Sequence, residues 1–365
     1  MSLAELRLAD LRCLRAAELS LHPGFNLVTG DNGQGKTSLL EAVYLLGRGR
    51  SFRTRYTEQL IHQSASRLWV AGKVVASPGP ETADPSELAS DRGHRVDLQC
   101  SRQEGAEARI DAQRIGSLVE LSELFPVQVI EPGIHRLLEE GPARRRHWLD
   151  WTVFHVEPGF FSLWQGYTRA LRQRNAALQT GADPTPWEAE LGRLGETLTA
   201  ARARLLENLQ PTWSATLQAL DAVPATLSFY PGWSRQHSLA DSLAQQRTGD
   251  QELGRTRLGP HRFDVLIRVA GRPARDVISR GQQKLLGAAM ALSMARHLAR
   301  AADKVPTLLL DDPAAELDQA HAAALLAAVA ELGGQHIVTA MHPETLPPPH
   351  PDRVFHVEHG GVKPL

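Results

Sequence analysis

The sequence predicts an α/β protein in which one mixed sheet is built from both ends of the chain and a mainly helical lobe is inserted between them. Three observations predict this fold. A glycine loop joins a strand to a helix near the start, at residues 25–47. An apolar strand ends in two carboxylates far along the chain, at Asp311 and Asp312. Between them, from about residue 126, apolar residues recur with helical spacing. That spacing is not a sustained heptad, so we expect no long coiled coil.

Composition narrows the class of protein. The chain has 365 residues, enough for two domains, and 42% of them are hydrophobic. No apolar run has the 18 or so residues of a membrane span, and charges interrupt the first 15 residues, where a signal peptide needs an apolar core. We therefore expect a cytoplasmic protein with no membrane partner. The net charge is −1, so any nucleic-acid contact needs a local positive surface.

The chain divides into three stretches. Residues 1–125 are expected to form the first part of lobe I, opening with a strand hairpin in residues 1–21. Residues 126–302 are expected to form a mainly helical lobe II, and residues 303–365 complete lobe I. Residues 77–93, rich in Pro, Ser and acids, are predicted to be a loop outside the core.

The glycine loop matches a phosphate-binding motif in its structural context. Gly30-x-x-x-x-Gly35-Lys36-Thr37 follows an apolar strand and opens an apolar-periodic helix. Glycines let backbone N–H groups wrap a triphosphate, Lys36 is expected to reach the β- and γ-phosphates, and the Thr37 hydroxyl to hold Mg²⁺. The alternative is a glycine-rich turn that binds nothing. The residues predicted to contact ATP here are Gly30, Asp31, Asn32, Gly33, Gln34, Gly35, Lys36, Thr37 and Ser38.

The second carboxylate-bearing strand fits the same site. An apolar run followed by Asp311 is weak alone, but beside a phosphate loop it predicts the carboxylate that orders magnesium. Asp312 is then placed to orient or deprotonate the attacking water. Because Thr37 and Asp311 are 274 residues apart, one sheet has to be assembled from both chain ends.

Two further segments resemble ABC-type ATPases. Residues 279–283, Ser-Arg-Gly-Gln-Gln, resemble their signature motif, and Asp318 ends a segment similar to the loop that links their two sites. The resemblance implies that Ser279, Arg280, Gly281, Gln282 and Asp318 act at ATP bound by the opposite subunit of an ATP-dependent homodimer. For the first segment, a simple helix cap is the alternative.

Within this class the chain resembles the RecF family of bacterial DNA-repair ATPases, which is related to the heads of SMC proteins. The resembling residues span nearly the whole chain: 11–15, 30–42, 51–53, 141–142, 145–146, 149–151, 259–262, 279–282, 311–312 and 316–318. The resemblance implies a weak, DNA-stimulated ATPase that dimerises on ATP and binds DNA at gaps or single-strand to double-strand junctions. It also implies partnership with RecR and RecO in loading RecA, with release on hydrolysis.

Several residues depart from the class or are assigned by resemblance alone. Asp312 stands where many members have Glu, which predicts slow hydrolysis. The switch histidine is displaced, leaving Thr339 or His342 for that role. Gln128 resembles the metal- and water-sensing glutamine, with a strand-end surface residue as the alternative. Arg12 resembles an early basic residue beside the phosphates, or is a plain surface arginine.

DNA contacts and rival functions stay open at this point. Two arginine clusters, residues 48–55 and 144–146, are candidates for contacts with DNA phosphates, although a solvated helix face explains many such clusters. One rival is the ATPase subunit of a transporter, which shares the phosphate loop and carboxylates. The other is a non-hydrolysing DNA clamp that ATP switches.

Overall fold

The computed structural model describes residues 1–76, 93–103 and 105–365, so most of the loop predicted at 77–93 lies outside the described residues. The strands are β1 (Ser2–Leu11), β2 (Leu14–Ser20), β3 (Phe25–Thr29), β4 (Arg67–Val75), β5 (Gly93–Ser101), β6 (Gly105–Ile110), β7 (Gln113–Arg114), β8 (Val127–Ile130), β9 (Thr226–Tyr230), β10 (Asp264–Val269), β11 (Arg272–Pro273), β12 (Thr307–Leu310), β13 (His336–Ala340), β14 (Arg353–Glu358) and β15 (Gly361–Pro364).

Helices connect and cover these strands. They are α1 (Lys36–Arg48), α2 (Val119–Leu124), α3 (Arg136–Glu139), α4 (Pro142–Val156), α5 (Phe160–Thr180), α6 (Thr185–Ala219), α7 (Leu239–Gln245), α8 (Arg247–Leu253), α9 (Arg280–Ala302), α10 (Pro313–Glu316) and α11 (Gln319–Leu332). None of the helices in the described part of the chain is long and apolar enough to cross a bilayer.

The chain packs as two compact units. Unit 1 comprises Met1–Ile134, Gln218–Ala222 and Lys284–Leu365, and unit 2 comprises His135–Leu217 and Val223–Gln283. By packing, β8 and most of α9 go with unit 1. The lobe boundaries at 126 and 302 stay a prediction about functional lobes.

Unit 1 contains the sheet that the sequence predicted from both chain ends. Its strand order is β15-β14-β3-β13-β12-β8, with β14, β3, β13, β12 and β8 mutually parallel and β15 antiparallel to β14. Every residue of β3, β12 and β13 is buried, as expected for parallel strands covered on both faces. The predicted mixed α/β fold is confirmed. Parallel strands bring the carboxyl ends of β3, β12 and β13 to one edge, where the predicted ATP residues follow.

A second, antiparallel sheet completes unit 1 in the order β2-β1-β4-β5-β6-β7. Strands β1 and β2 form the hairpin predicted at the start, with Leu11 opposite Leu14 and Arg12 in the turn at φ 54°. Apolar residues of this sheet, such as Leu6 and Val70, share one core with Leu40 and Val43 of α1. The core thereby fixes α1 against both sheets.

Unit 2 is mainly helical, but it includes the sheet β11-β10-β9. Its longest helix, α6, has 35 residues and buries a side including Leu198, Leu205 and Trp213. Strand β9 lies in a stretch whose pattern predicted helices, so that assignment was wrong for Thr226–Tyr230. The strand is only 5 residues long and pairs with β10, a partner far along the chain that no local pattern reveals.

Candidate nucleotide-binding site

The glycine loop lies between β3 and α1, as its sequence predicts. Gly30, Gly33 and Gly35 have φ of 143°, 84° and 120°, values that side chains disfavour. A Cβ on Gly30 would lie 2.4 Å from the Val357 carbonyl oxygen, so the close approach of β14 also requires glycine. The loop therefore presents bare backbone at the N-terminus of α1, where N–H groups attract anions.

Lys36 is the first residue of α1 and is only 7% exposed. Its ammonium donates hydrogen bonds to the carbonyl oxygens of Gly30 and, at 3.2 Å, Asp31. The cation is thus held inside the loop by the same backbone that surrounds a phosphate in this motif. An ammonium held by neutral carbonyl oxygens keeps its charge available for phosphate oxygens.

Two hydroxyl groups from different segments of the chain contact the Asp311 carboxylate. The Thr37 hydroxyl lies 3.0 and 2.9 Å from its two carboxylate oxygens, and the Thr339 hydroxyl donates to Oδ1 at 2.9 Å. Thr339 also accepts a hydrogen bond from the Asp312 backbone N–H at 2.9 Å. The hydroxyl of Thr37 and the carboxylate of Asp311 are oxygen ligands of the kind Mg²⁺ prefers, so this donor set fits the metal.

Asp312 adopts the left-handed conformation, with φ 48°. Partial burial raises the pKa of its carboxyl group; Lys36 acts in the opposite direction, and Asp311 adds to the rise. A carboxylate with an elevated pKa beside a phosphate loop is suited to accepting a proton from water.

Most of the predicted nucleotide-binding residues line one cavity of about 480 Å³. The predicted residues that line it are Arg12, Asp31, Asn32, Gly33, Gly35, Lys36, Thr37, Ser38, Asp311 and Asp312. Cys13, Arg53, Pro132 and Ala315 also line it. Gln34 is turned elsewhere, because its side-chain oxygen accepts a hydrogen bond from the His359 N–H.

Glu41 organises the arginines of this cavity and was missed by the sequence analysis. Its fully buried carboxylate accepts two hydrogen bonds from Arg12, at 2.6 and 2.9 Å, and one from the Ser51 hydroxyl. Arg53 lies 3.8 Å from the same carboxylate. The available signal was an acid in an apolar helix, one turn after Thr37 and hence on the same helix face.

The structure does not bring Gln128 to this group. It lies within β8 opposite Leu308, two positions before the strand ends, and is not among the described residues that line the cavity. Its side-chain oxygen is buried with no hydrogen-bond partner in the described structure. Glu131, the first residue beyond β8, instead lines a small cavity together with Asp311.

Of the two switch candidates, Thr339 donates a hydrogen bond to Asp311, whereas His342 is exposed.

The signature-like segment in unit 2 begins α9 with a reciprocal cap. The Gln282 N–H donates to the Ser279 hydroxyl at 3.4 Å, and the Ser279 N–H donates to the Gln282 side chain at 3.1 Å. Ser279, Arg280, Gly281 and Gln282 are all exposed. In unit 1, Asp318 caps α11 in a similar way through the His321 N–H, which lowers the pKa of the Asp318 carboxyl group.

Comparison with known proteins decides the family. The chain is 38% identical to the DNA replication and repair protein RecF of Pseudomonas paraeruginosa, over 99% of this chain and 97% of that protein. It is 41% identical to the protein of the same name from Xanthomonas axonopodis pv. citri, over 98% and 97%. The model of the RecF/RecN/SMC N terminal domain matches residues 2–360. The chain belongs to the RecF family.

Solved structures show the same fold as this RecF-family chain. A structure of the recombination mediator protein RecF with ATP superimposes with a TM-score of 0.86 at 24% identity, covering 100% of this chain and 97% of that one. An Smc head bound to the C-winged helix domain of ScpA gives 0.56 at 13% identity, covering 100% and 98%. The fold is therefore that of the RecF and SMC ATPase heads.

Proposed function

We propose that this RecF-family chain is an ATP-dependent DNA-binding recombination mediator that closes into a homodimer on ATP. The observation that carries the proposal is the hydrogen bonding of Thr37 to Asp311, because it brings the phosphate loop and the distant carboxylate strand to one point. A site of that kind binds a triphosphate with Mg²⁺.

Within one subunit, each residue receives a proposed role from its position. The backbone of the glycine loop and Lys36 bind the phosphates, and Thr37 with Asp311 holds Mg²⁺, which would neutralise phosphate charge. Asp312 accepts the proton of the attacking water. Arg12, clamped by Glu41, supplies a fixed positive charge to the cavity.

The second subunit supplies the remaining groups. Ser279, Gly281 and the N-terminus of α9 are exposed, so they are free to meet the γ-phosphate bound by the partner. Asp318, also exposed, lies on the loop expected to link the two sites. ATP then acts as the bridge between subunits, and its hydrolysis, slowed by the short Asp312 side chain, releases them.

The biological role follows from the relatives. Proteins named DNA replication and repair protein RecF are its relatives, and a RecF structure is described as a mediator in the RecFOR pathway. We extend that role to this chain: the ATP dimer binds gapped or junction DNA and, with RecR and RecO, promotes RecA loading. Such a role places it in the cytoplasm with the chromosome. The match of residues 2–360 to the RecF/RecN/SMC N terminal domain and the similarity to RecF proteins over 99% of the chain disfavour the transporter alternative.

One set of measurements tests the proposal. Light scattering should show a dimer with ATP and Mg²⁺ and a monomer without nucleotide. Fluorescence anisotropy should show duplex DNA binding that requires ATP and weakens steeply with salt. Lys36→Arg should abolish turnover, whereas Lys363→Arg, at an exposed position of β15, should leave it unchanged. A permanent monomer, or equal DNA affinity with and without ATP, would reject the proposal; equally negligible turnover in native and Lys36→Arg chains would favour the non-hydrolysing clamp.

A further inference from the structure

Two sequence segments that the nucleotide site leaves unused meet in unit 2. Residues 145–150 lie on α4, and residues 259–264 lead into β10. Four arginines and two carboxylates come together around these segments, with Arg202 contributed by α6. The charged residues are Arg145, Arg146, Asp150, Arg202, Arg262 and Asp264.

Two of the arginines form ion pairs with the two carboxylates. Arg145 donates to the two oxygens of Asp264 at 2.8 and 3.0 Å and also to the carbonyls of Leu137 and Glu140. Arg202 donates to both oxygens of Asp150 at 2.7 and 2.9 Å. Both arginines are buried, so these paired guanidiniums form a fixed scaffold.

Arg202 also contacts the segment that carries Arg262. It donates to the Pro260 carbonyl at 3.0 Å, and its guanidinium lies 4.1 Å from the centroid of the Phe263 ring. The Arg262 N–H closes the turn by donating to the Gly259 carbonyl at 2.8 Å. The backbone on both sides of Arg262 is therefore fixed.

Among the residues that the structure describes, neither Arg146 nor Arg262 forms an ion pair with a carboxylate. Arg146 is half-buried and donates a hydrogen bond, at 3.2 Å, to the carbonyl of Phe263, the residue next to Arg262. Arg262 is exposed, and in the described part of the chain its side chain forms no ion pair. Burial lowers the pKa of Arg146; Asp264 opposes this, and the nearby positive charge of Arg262 adds to the lowering. Guanidinium groups nevertheless remain charged near neutral pH.

The local charge is positive although the chain as a whole has a net charge of −1. Four guanidiniums face two carboxylates here, leaving a surplus of two positive charges. His261 does not add to it, because burial lowers the pKa of its imidazole to about 4 and leaves the ring neutral near pH 7, in contact with Tyr167 and the Thr256 carbonyl. Two adjacent guanidiniums on a rigid support are suited to a tetrahedral oxyanion such as a phosphate group, whose oxygens can accept hydrogen bonds from both arginines.

We propose that Arg146 and Arg262 form an anion site that binds a phosphodiester group of the DNA backbone. The proposal rests on the proposed function and specifies where DNA contacts unit 2. A phosphodiester is favoured because a nearly neutral chain needs a local positive surface to hold DNA, and this cluster provides one. Binding of a carboxylate from a protein partner is the competing outcome of the test.

The test compares two double variants of equal charge. Arg146→Gln with Arg262→Gln removes the proposed site. Arg193→Gln with Arg204→Gln is the matched control, because both of these α6 arginines are exposed in unit 2 and each already pairs with a glutamate. DNA affinity is measured by anisotropy with ATP over a salt series, and ATP-driven dimerisation, basal turnover and binding to RecR, the protein partner expected under the proposed function, are measured in parallel.

We expect the site variant to bind duplex DNA 10- to 100-fold more weakly. Its plot of log affinity against log salt should lose about 0.9 in slope, because one phosphate is no longer neutralised and each neutralised phosphate contributes about 0.9. The control should stay within about twofold of the native chain. Dimerisation and basal turnover should be unchanged in both variants. If Arg146→Gln fails to fold, the exposed Arg262→Gln alone should weaken DNA binding and reduce the slope by up to about 0.9.

The possible failures are distinguishable. If the native chain shows no ATP-dependent DNA binding, the proposed function itself fails. If the native chain binds DNA and the site variant binds equally, with the same salt slope, only the present inference is overturned. Equal losses in the site variant and the control would also overturn it, since general charge would then explain the effect. Loss of binding to a partner protein with intact DNA binding would assign the site to a carboxylate.

Discussion

The proposed role of Asp312 as a proton acceptor can be tested by a single substitution. Its backbone is left-handed, a conformation that Asn tolerates as well as Asp does, so Asp312→Asn changes the proton acceptor without straining the loop. We expect the maximal ATPase rate to fall by about 10²- to 10⁴-fold, as for loss of a general base, while ATP still drives dimerisation. Steady-state turnover and light scattering measure the two effects.

A control for Asp312→Asn exists in the same unit. Asp303 is also left-handed, with φ 50°, and is exposed before β12. Asp303→Asn should leave turnover at the native level. Native turnover in Asp312→Asn would show that another group activates the water.

The buried imidazole of His261 leads to a prediction, also at the residue scale, of how the stability of the native state depends on pH. Burial lowers the pKa of its imidazole from 6.5 to about 4, and the hydroxyl of Tyr167 lies 2.8 Å from Nδ1. As pH falls below 6.5, the unfolded chain binds a proton that the folded chain does not, so the native state loses stability between about pH 6.5 and 4. The contribution approaches about 1.4 kcal/mol per pH unit.

His261→Gln should remove this contribution. Urea unfolding at several pH values should show a flatter pH dependence for His261→Gln than for the native chain, even if its stability at pH 7 is lower. His237→Gln, at an exposed position of unit 2, should keep the native pH dependence. Parallel pH profiles for the native chain and His261→Gln would contradict the assignment.

At the scale of elements, substitutions of Ser279 at the N-terminus of α9 can distinguish a structural role of this segment, as a helix cap, from a functional role in the ATP dimer. Ser279 caps the helix, and Asp is an equally good cap, so Ser279→Asp should keep the unfolding free energy within about 0.5 kcal/mol. Its added negative charge should nevertheless repel the γ-phosphate of the partner and abolish the ATP dimer. Ser279→Ala should lose about 1 kcal/mol of stability.

Two measurements decide between the readings of this segment. Thermal or urea unfolding reports the cap, and light scattering with ATP reports the dimer. If Ser279→Asp dimerises as the native chain does, the segment is only a helix cap, which is the alternative that the sequence leaves open.

Elements also show what the sequence could and could not predict. The glycine loop and the strand before Asp311 were predictable because each is a local pattern at a strand end. The predicted neighbours Thr37 and Asp311 are indeed in contact. Strand β9 was not predictable, since its pairing with β10 depends on a distant segment. The spacing from Thr37 places Glu41 on the site's face of α1, but its contact with Arg12 depends on where the β1–β2 turn places that arginine, which the sequence does not reveal.

At the scale of the whole molecule, Gln335 joins the two ends of unit 1. Its side chain accepts a hydrogen bond from the Leu3 N–H at 2.9 Å and donates to the Leu3 carbonyl at 2.8 Å. It also donates to the His22 carbonyl at 2.9 Å. One buried amide thereby ties β1 of the antiparallel sheet to the segment before β13 of the mixed sheet, across 332 residues of sequence.

Gln335→Ala should therefore weaken unit 1 as a whole. It leaves buried backbone groups of Leu3 without partners, which should lower the unfolding free energy by about 2–4 kcal/mol. Gln113→Ala, at an exposed position of β7, should change it by less than about 0.5 kcal/mol. Because Lys36 and Asp311 lie just beyond β3 and β12 of the mixed sheet, saturating ATP with Mg²⁺ should still stabilise Gln335→Ala by mass action. Urea unfolding with and without nucleotide measures these terms, and a native midpoint for Gln335→Ala would show that the two sheets hold together without this amide.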